Sequence, residues 1–295
     1  MCVSAAPAKF ASTIVYGRAT ERRGQQVHVL GYQNVARNRA KGPNAMLLPI
    51  PSAAPMGPGN AIDARAFSGV LEAYRVALRS MLPVFRGIPS EGASAERSAS
   101  VQVFDTGSYT VVLAHQAELG AIEAALAQVP AARRPSISSE LIDAYRRWYP
   151  GWHLALCCFA AEGAGPEPML WWYPPLDPSR VFLPGLDAHD GGVPQLGVQV
   201  EVDHAVALGV DAELPEFDLG GSRYPRWVQR PWAPVAKVSL PASLPFSLRS
   251  LFPPRVAGTA SMSGQLENGD WYLPAQPDVP SLEAALGQRV RPPGA

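Results

Sequence analysis

Cysteine is scarce in this chain. There are 3 among 295 residues, an odd count that excludes the disulfide framework of small secreted domains. A surplus of one charge is also missing. The 25 basic residues are matched by 25 acidic ones, and the pI is near 7.0. That balance argues against a nucleic-acid partner, which is bound by displacing counterions with a basic surface. No stretch approaches the ~18–20 uninterrupted apolar residues of a membrane span. A Walker-type loop, a dinucleotide glycine motif and a Gly-x-Ser-x-Gly elbow are absent in any supporting context, so no cofactor is expected. No repeat of fixed period is visible.

What is present is an apolar fraction of 47% and 31 prolines, roughly twice the average proline usage. Thirteen of the prolines fall after Leu214. The first nine residues carry no basic segment ahead of a long apolar one, so a secretory leader is not expected and a cytoplasmic location is. Length alone allows one or two domains. We expect one compact unit over 1–284, with a possible division near 150, and a flexible tail over 285–295.

Apolar periodicity places the elements. β-branched and alternating stretches predict strands at 12–18, 25–32, 45–51, 101–105, 108–114, 152–160, 169–173, 180–183 and 197–208. Pro49 would confine its strand to an edge or an end. Phe67, Val70, Leu71, Tyr74, Leu78 and Leu82 recur at helical spacing and predict a helix over 66–82. Further helices are expected at 116–128, at 137–148 with Ser136 or Ser138 as cap, and at 282–287. Residues 87–100 have almost no large apolar side chain and read as a mobile loop or linker. Strands and helices do not alternate regularly. The fold class is therefore α+β, with mixed or antiparallel sheets, helices packed on them, and a Pro-rich β second half.

The sharpest chemical candidate is Cys2. Removal of Met1 would leave a thiol and a free α-amine on one residue, and an amine with a pKa near 7.7–8.0 can take the thiol proton at neutral pH. The thiolate would attack an amide carbonyl. Backbone N–H groups and an asparagine, Asn34 or Asn44, would then steady the oxyanion. The opening Met1-Cys2, followed by Tyr16-Gly17-Arg18, resembles the N-terminal-nucleophile hydrolases of the choloylglycine hydrolase and penicillin V acylase type. That resemblance covers residues 1–21. It implies Cys2 as nucleophile, Arg18 as the cation that positions substrate, Glu21 at the family's acidic position, and a small acylated amide as substrate. Of the two asparagines, Asn44 is taken as the oxyanion donor. Val3 stands where the family has a small hydroxyl residue, and Pro7 interrupts pairing along the first strand.

Three other clusters have both a chemical and a plain reading. Asp187, His189, Asp190, Asp203 and His204 could ligate a cation, but their spacing matches no closed zinc pattern, and Asp-Gly segments make turns. Metal is therefore not expected. Cys157-Cys158 lie in an apolar strand, where neighbours point to opposite faces, so they read as buried small hydrophobes. Asp105-Thr106-Gly107 reads as a hairpin turn. The aromatic stretch 171–175 and the cation-rich stretch 223–230 offer an alternative function, a non-catalytic binding protein that meets a protein partner through an aromatic, Pro-rich surface.

Overall fold

The computed structural model describes residues 3–79, 101–115, 119–211 and 233–295. Its first part contains β1 (Val3–Ser4), β2 (Ala8–Arg22), β3 (Gln25–Asn38), β4 (Asn44–Ile50), α1 (Val70–Arg79), β5 (Val101–Thr106) and β6 (Tyr109–His115). Then come α2 (Leu119–Leu126), α3 (Ser139–Trp148), β7 (His153–Phe159), β8 (Met169–Tyr173), β9 (Arg180–Leu183) and β10 (Gln199–Gly209). The chain finishes with β11 (Ala233–Lys237), β12 (Arg255–Glu267), β13 (Trp271–Pro274) and α4 (Val279–Gly287). The expected loop at 87–100, the stretch 223–230, Leu82, and the start of the helix expected at 116 lie outside the described residues.

The strands form one sheet in the order β1-β4-β7-β6-β5, a second in the order β11-β12-β10-β2-β3-β8, and a β13-β9 pair. All neighbours are antiparallel except β10 and β2. This is the α+β class with mixed and antiparallel sheets that the sequence implies. Both sheets draw strands from both halves of the chain. β7 lies between β4 and β6, and β10 lies beside β2, so residue 150 separates no sheet from another.

Period-two alternation sorts the side chains into layers. Val15, Leu30, Met46, Leu48, Val111 and Cys157 share the core between the two sheets. On the outer face of the second sheet, Ile14, Tyr16, Val27 and Val29 meet Leu71, Tyr74 and Leu78 of α1. On the outer face of the first, Leu47, Val112, Leu156 and Cys158 meet Ile122 of α2 and Leu141 and Tyr145 of α3. β4 is buried throughout, which is why it reads as an unbroken apolar run rather than an alternating one. Pro49 is not on an outermost strand. β1 pairs only with Met46 and Leu47, so at Pro49 no described partner needs the missing N–H on that side.

α1 starts later than its apolar spacing suggests, because residues 65–67 form a 3₁₀ turn. Ser138, not Ser136, caps α3, its Oγ accepting from the Leu141 N–H at 3.1 Å, a bond worth about 1 kcal/mol. The chain end differs from the loose tail expected over 285–295. Leu286 is fully buried in the central core, Val290 and Asp270 exchange two backbone hydrogen bonds of 2.8 Å, and the Gly294 N–H reaches the Trp148 carbonyl at 2.9 Å. No helix among the described residues is long and apolar enough to cross a membrane.

Candidate functional site

Among the described residues, an opening arises where two neighbouring strands part. β2 and β10 pair only from Thr13 and His204 onward. Before that point β2 pairs with β3 alone, from Ala8 to Ala11, and β10 pairs with β12 alone. The break coincides with a register shift after Ala11 and with Ser12 at φ +55°. An extra residue of this kind bends a strand away from its neighbour. The result is a groove of about 620 Å³, within the usual range for ligand sites. Its walls are Pro7, Ala8 and Lys9 on one side, Val198 and Val200 on the other, and the loop around His189 across one end.

That loop, between β9 and β10, is fixed by two buried residues of the turn after β12. Asn268 accepts from the Asp187 N–H at 2.8 Å and donates to the carbonyls of Asp187 and Gln195 at 3.0 Å each. Asp270 accepts from the Gly185 N–H at 2.7 Å and from the Tyr149 hydroxyl at 2.6 Å. Burial pushes the Asp270 carboxyl up to about 6, outweighing those hydrogen bonds and the nearby Arg289 charge. Within the groove, His189 Nε2 lies 2.9 Å from Asp187 Oδ1. Its ring rests on Phe10 with centroids 5.2 Å apart, and its carbonyl accepts from the Ala8 N–H at 2.9 Å. Asp190 Oδ1 accepts from the Gly192 N–H at 2.9 Å, closing a tight turn. Gly191, at φ +88°, passes so close to the Ala5 carbonyl that a side chain would collide with it. Among the described lining residues none is Ser, Thr or Cys.

The residues carried over from the hydrolase resemblance fall in separate places. Cys2 lies outside the described residues. Its neighbour Val3 pairs with Leu47 and bridges to Ala188, near Asn44. Asn44 is fully buried, and both ends of its amide are engaged. Its Oδ1 accepts from the N–H groups of Ala6 and Ala45 at 3.0 and 2.8 Å. Its Nδ2 donates to the Ala6 carbonyl at 2.9 Å and to Asn38 Oδ1 at 3.1 Å. No donor is left over for an oxyanion. Asn34 is also fully buried, with Nδ2 on the Met46 sulfur at 3.4 Å. Arg18 sits ten residues along β2 from Ala8, on the order of 30 Å away at ~3.3 Å per residue. It is buried, with Nε on the Ser250 carbonyl and Nη2 on Asp211, both at 2.7 Å. Glu21 is exposed three residues further on, opposite Gln26. The structure therefore does not bring Arg18 or Glu21 to Asn44.

The Tyr16-Gly17-Arg18 motif has a packing explanation throughout. The Tyr16 hydroxyl donates to the Leu251 carbonyl at 2.8 Å, and its ring stacks on Tyr74 at 4.8 Å. A side chain at Gly17 would run into Val181 and Leu183 of β9.

The remaining candidates turn inward or apart. Among the described residues no three His, Cys, Asp or Glu side chains converge as a metal set. Asp203 is exposed while His204 is buried on the opposite face of β10. Trp171 and Tyr173 are buried, and Trp172 is covered by the Arg22 guanidinium, 4.1 Å above its ring. The stretch 171–175 therefore presents no open aromatic platform. Asp105-Thr106-Gly107 is the hairpin end between β5 and β6. Cys157 and Cys158 face opposite cores, and burial raises both thiols, Cys158 to about 12. Brief iodoacetamide treatment of the native protein should leave both unmodified, and both should react in urea; peptide mass mapping checks this, and modification of either one in native protein would contradict the burial.

No family model matches this chain, and no curated protein matches its sequence. Among solved structures, it is similar to the crystal structure of baculovirus P35. The TM-score is 0.42 and the identity 15%, over 74% of this chain and 69% of that one. It is also similar to a mutated baculovirus P35 after caspase cleavage, with TM-score 0.37 and 14% identity over 70% and 68% of the two chains.

Proposed function

We propose that this protein is a non-catalytic binding protein that takes a segment of a protein partner into the groove between β2 and β10. One observation carries the reading: the second sheet opens between adjacent strands into a groove bordered by Val193, Val198 and Val200, with no Ser, Thr or Cys among its described lining residues. Val193 and Val198 are 37% and 40% exposed there, and exposed apolar side chains gathered in a concave site favour an occupant. The engaged side chains of Arg18 and Asn44 support binding over amide hydrolysis.

Two measurements test the proposal together. Penicillin V and related acylated amides should be turned over no faster than in buffer, with Cys2→Ala indistinguishable from wild type. An array of ~12-residue peptides should retain sequences able to lie extended, and Val198→Asp should abolish that retention. Hydrolysis that disappears in Cys2→Ala, or an array on which nothing is retained, would reverse the assignment.

A further inference from the structure

The outermost strands of the two sheets are not finished alike. β1, at one end of the first sheet, is capped by the loop at Ala188, whose carbonyl accepts from the Ser4 N–H at 3.0 Å. β8, at one end of the second, is covered by residues 60–62. The Ile62 N–H donates to the Leu170 carbonyl at 2.8 Å, and the Asn60 amide to the Trp172 carbonyl at 2.9 Å. β11, at the other end of that sheet, carries Pro234, which has no N–H to offer, and shifts register against β12. Coverings, prolines and bulges of this kind stop sheets from joining edge to edge. β5 has none of them. Its residues, Val101–Thr106, include no Pro, Gly, Lys or Arg, and they pair with β6 in unbroken register. A β-prone, nearly uncharged segment on an edge is a template for another strand.

The hairpin fixes which backbone groups remain. β5 and β6 are joined through Gly107 and Ser108, with Thr106 paired to Tyr109. The closing pair of a two-residue hairpin exchanges hydrogen bonds, and so does every second pair after it. Thr106, Phe104 and Gln102 therefore bond to β6. Asp105, Val103 and Val101 turn their backbone N–H and C=O groups the other way, where no described residue meets them. Val101, Val103 and Phe104 are half-buried, held by the cores on the two faces of the sheet. Asp105 is the strand's one charge.

We propose that a second copy of this chain completes this edge, the two β5 strands running antiparallel about a two-fold axis through Val103. That register sets Val103 against Val103 and Val101 against Asp105. The outward backbone groups of all three residues are then satisfied in both copies. The two Asp105 carboxylates stay apart, each facing a valine. A copy also brings a strand already ordered by its own hairpin, whereas a loose peptide would have to be ordered on binding. Because the other outermost strands are covered or interrupted, pairing closes at two copies instead of growing into a fibre. The proposal is independent of the groove between β2 and β10, which lies in the other sheet.

Sedimentation equilibrium of the full chain from about 1 to about 100 μM should show a monomer–dimer equilibrium. Val103→Pro removes an outward N–H that β6 does not use, and Val103→Lys sets two ammonium groups directly opposite each other. Both should stay monomeric over that range with the circular dichroism of wild type. A cross-link reads the register. Opposed residues that exchange hydrogen bonds have Cα atoms about 5.5 Å apart, within reach of a disulfide. In a Cys2→Ala background, Val103→Cys should oxidise to a covalent dimer and Asp105→Cys should not. Val198→Asp, in the groove, should leave dimerisation unchanged. A chain that stays monomeric throughout would overturn the second copy, whatever other strand the edge accepts. So would a dimer that survives both Val103→Pro and Val103→Lys, or one that cross-links through Asp105→Cys and not through Val103→Cys.

Discussion

Replacing Asn44 with Ala should cost about 3–5 kcal/mol of folding stability, an unusually large loss for one side chain. Asn44 is the hub that ties the stretch between β1 and β2 to the start of β4. Its amide takes the N–H groups of Ala6 and Ala45 and gives its protons to the Ala6 carbonyl and Asn38. Truncation leaves several of these groups buried without partners, each costing about 1–3 kcal/mol, with partial recovery from water. Urea unfolding of Asn44→Ala and wild type reads the difference as a shifted midpoint at constant slope. Glu21→Gln, at an exposed strand end, should stay within about 0.5 kcal/mol of wild type. The pair also separates two roles for Asn44. A residue kept for an oxyanion would lose activity and keep stability, whereas a structural hub loses stability first.

Acid should weaken the fold through two histidines. Burial pushes His28 and His153 down to about 4, from an ordinary value near 6.5. Because the unfolded imidazoles bind protons more tightly than the folded ones, the unfolded state gains as pH falls from 6.5 toward 4. At pH 5 each histidine costs about 2 kcal/mol relative to pH 7. Asp270 has the opposite sign. Its folded value of about 6 lies above that of the unfolded carboxyl, so the folded state takes up its proton first, and acidification to pH 5 returns about 1 kcal/mol. The histidines outweigh it, and wild type should lose about 2 kcal/mol between pH 7 and pH 5. The decisive comparison is the slope of stability against pH. His153→Gln keeps an acceptor for the Met56 N–H, which Nε2 now accepts at 3.2 Å. Combined with His28→Gln it should reverse the sign of the slope and leave only the Asp270 contribution. An unchanged slope would show that these imidazoles do not titrate as their burial requires.

Much of the fold can be read from local sequence, because local pattern decides it. The apolar spacing of α1, the alternation that sends Cys157 and Cys158 to different cores, and the order of β7, β8, β9 and β10 all follow from periodicity. The ends of β2 and β3 do not. Lys9, Arg37 and Asn38 look like loop residues, yet they belong to a ribbon whose outer face is wet there, so polarity marks exposure and not the end of pairing. The groove was invisible for a similar reason. It depends on one extra residue at Ser12 and on which strand lies beside β2, a partner almost 190 residues away. The segment 187–190 was legible as a turn with ligand-type side chains. Asn268-Gly269-Asp270 between apolar stretches is a strong turn signal, but nothing local marks Asn268 and Asp270 as the anchors of a loop some 80 residues earlier in the chain. The Tyr16-Gly17-Arg18 resemblance points to Arg18 and residue type alone to Asn44, but distance along a strand separates the two, and neither signal carries information about that.

The sharing of both sheets between the two halves of the chain has a consequence for biosynthesis. β2 and β3 form a hairpin at once, but β10, which covers the inner edge of β2, leaves the ribosome long afterwards. β4 likewise waits for β7. The nascent chain must therefore carry long unpaired strand edges until most of it has been made. Folding dominated by such remote pairings is slow, and partly made chains of this kind are prone to join edge to edge. Expression at lower temperature or with abundant chaperones should raise the yield of native protein more than any single stabilising substitution.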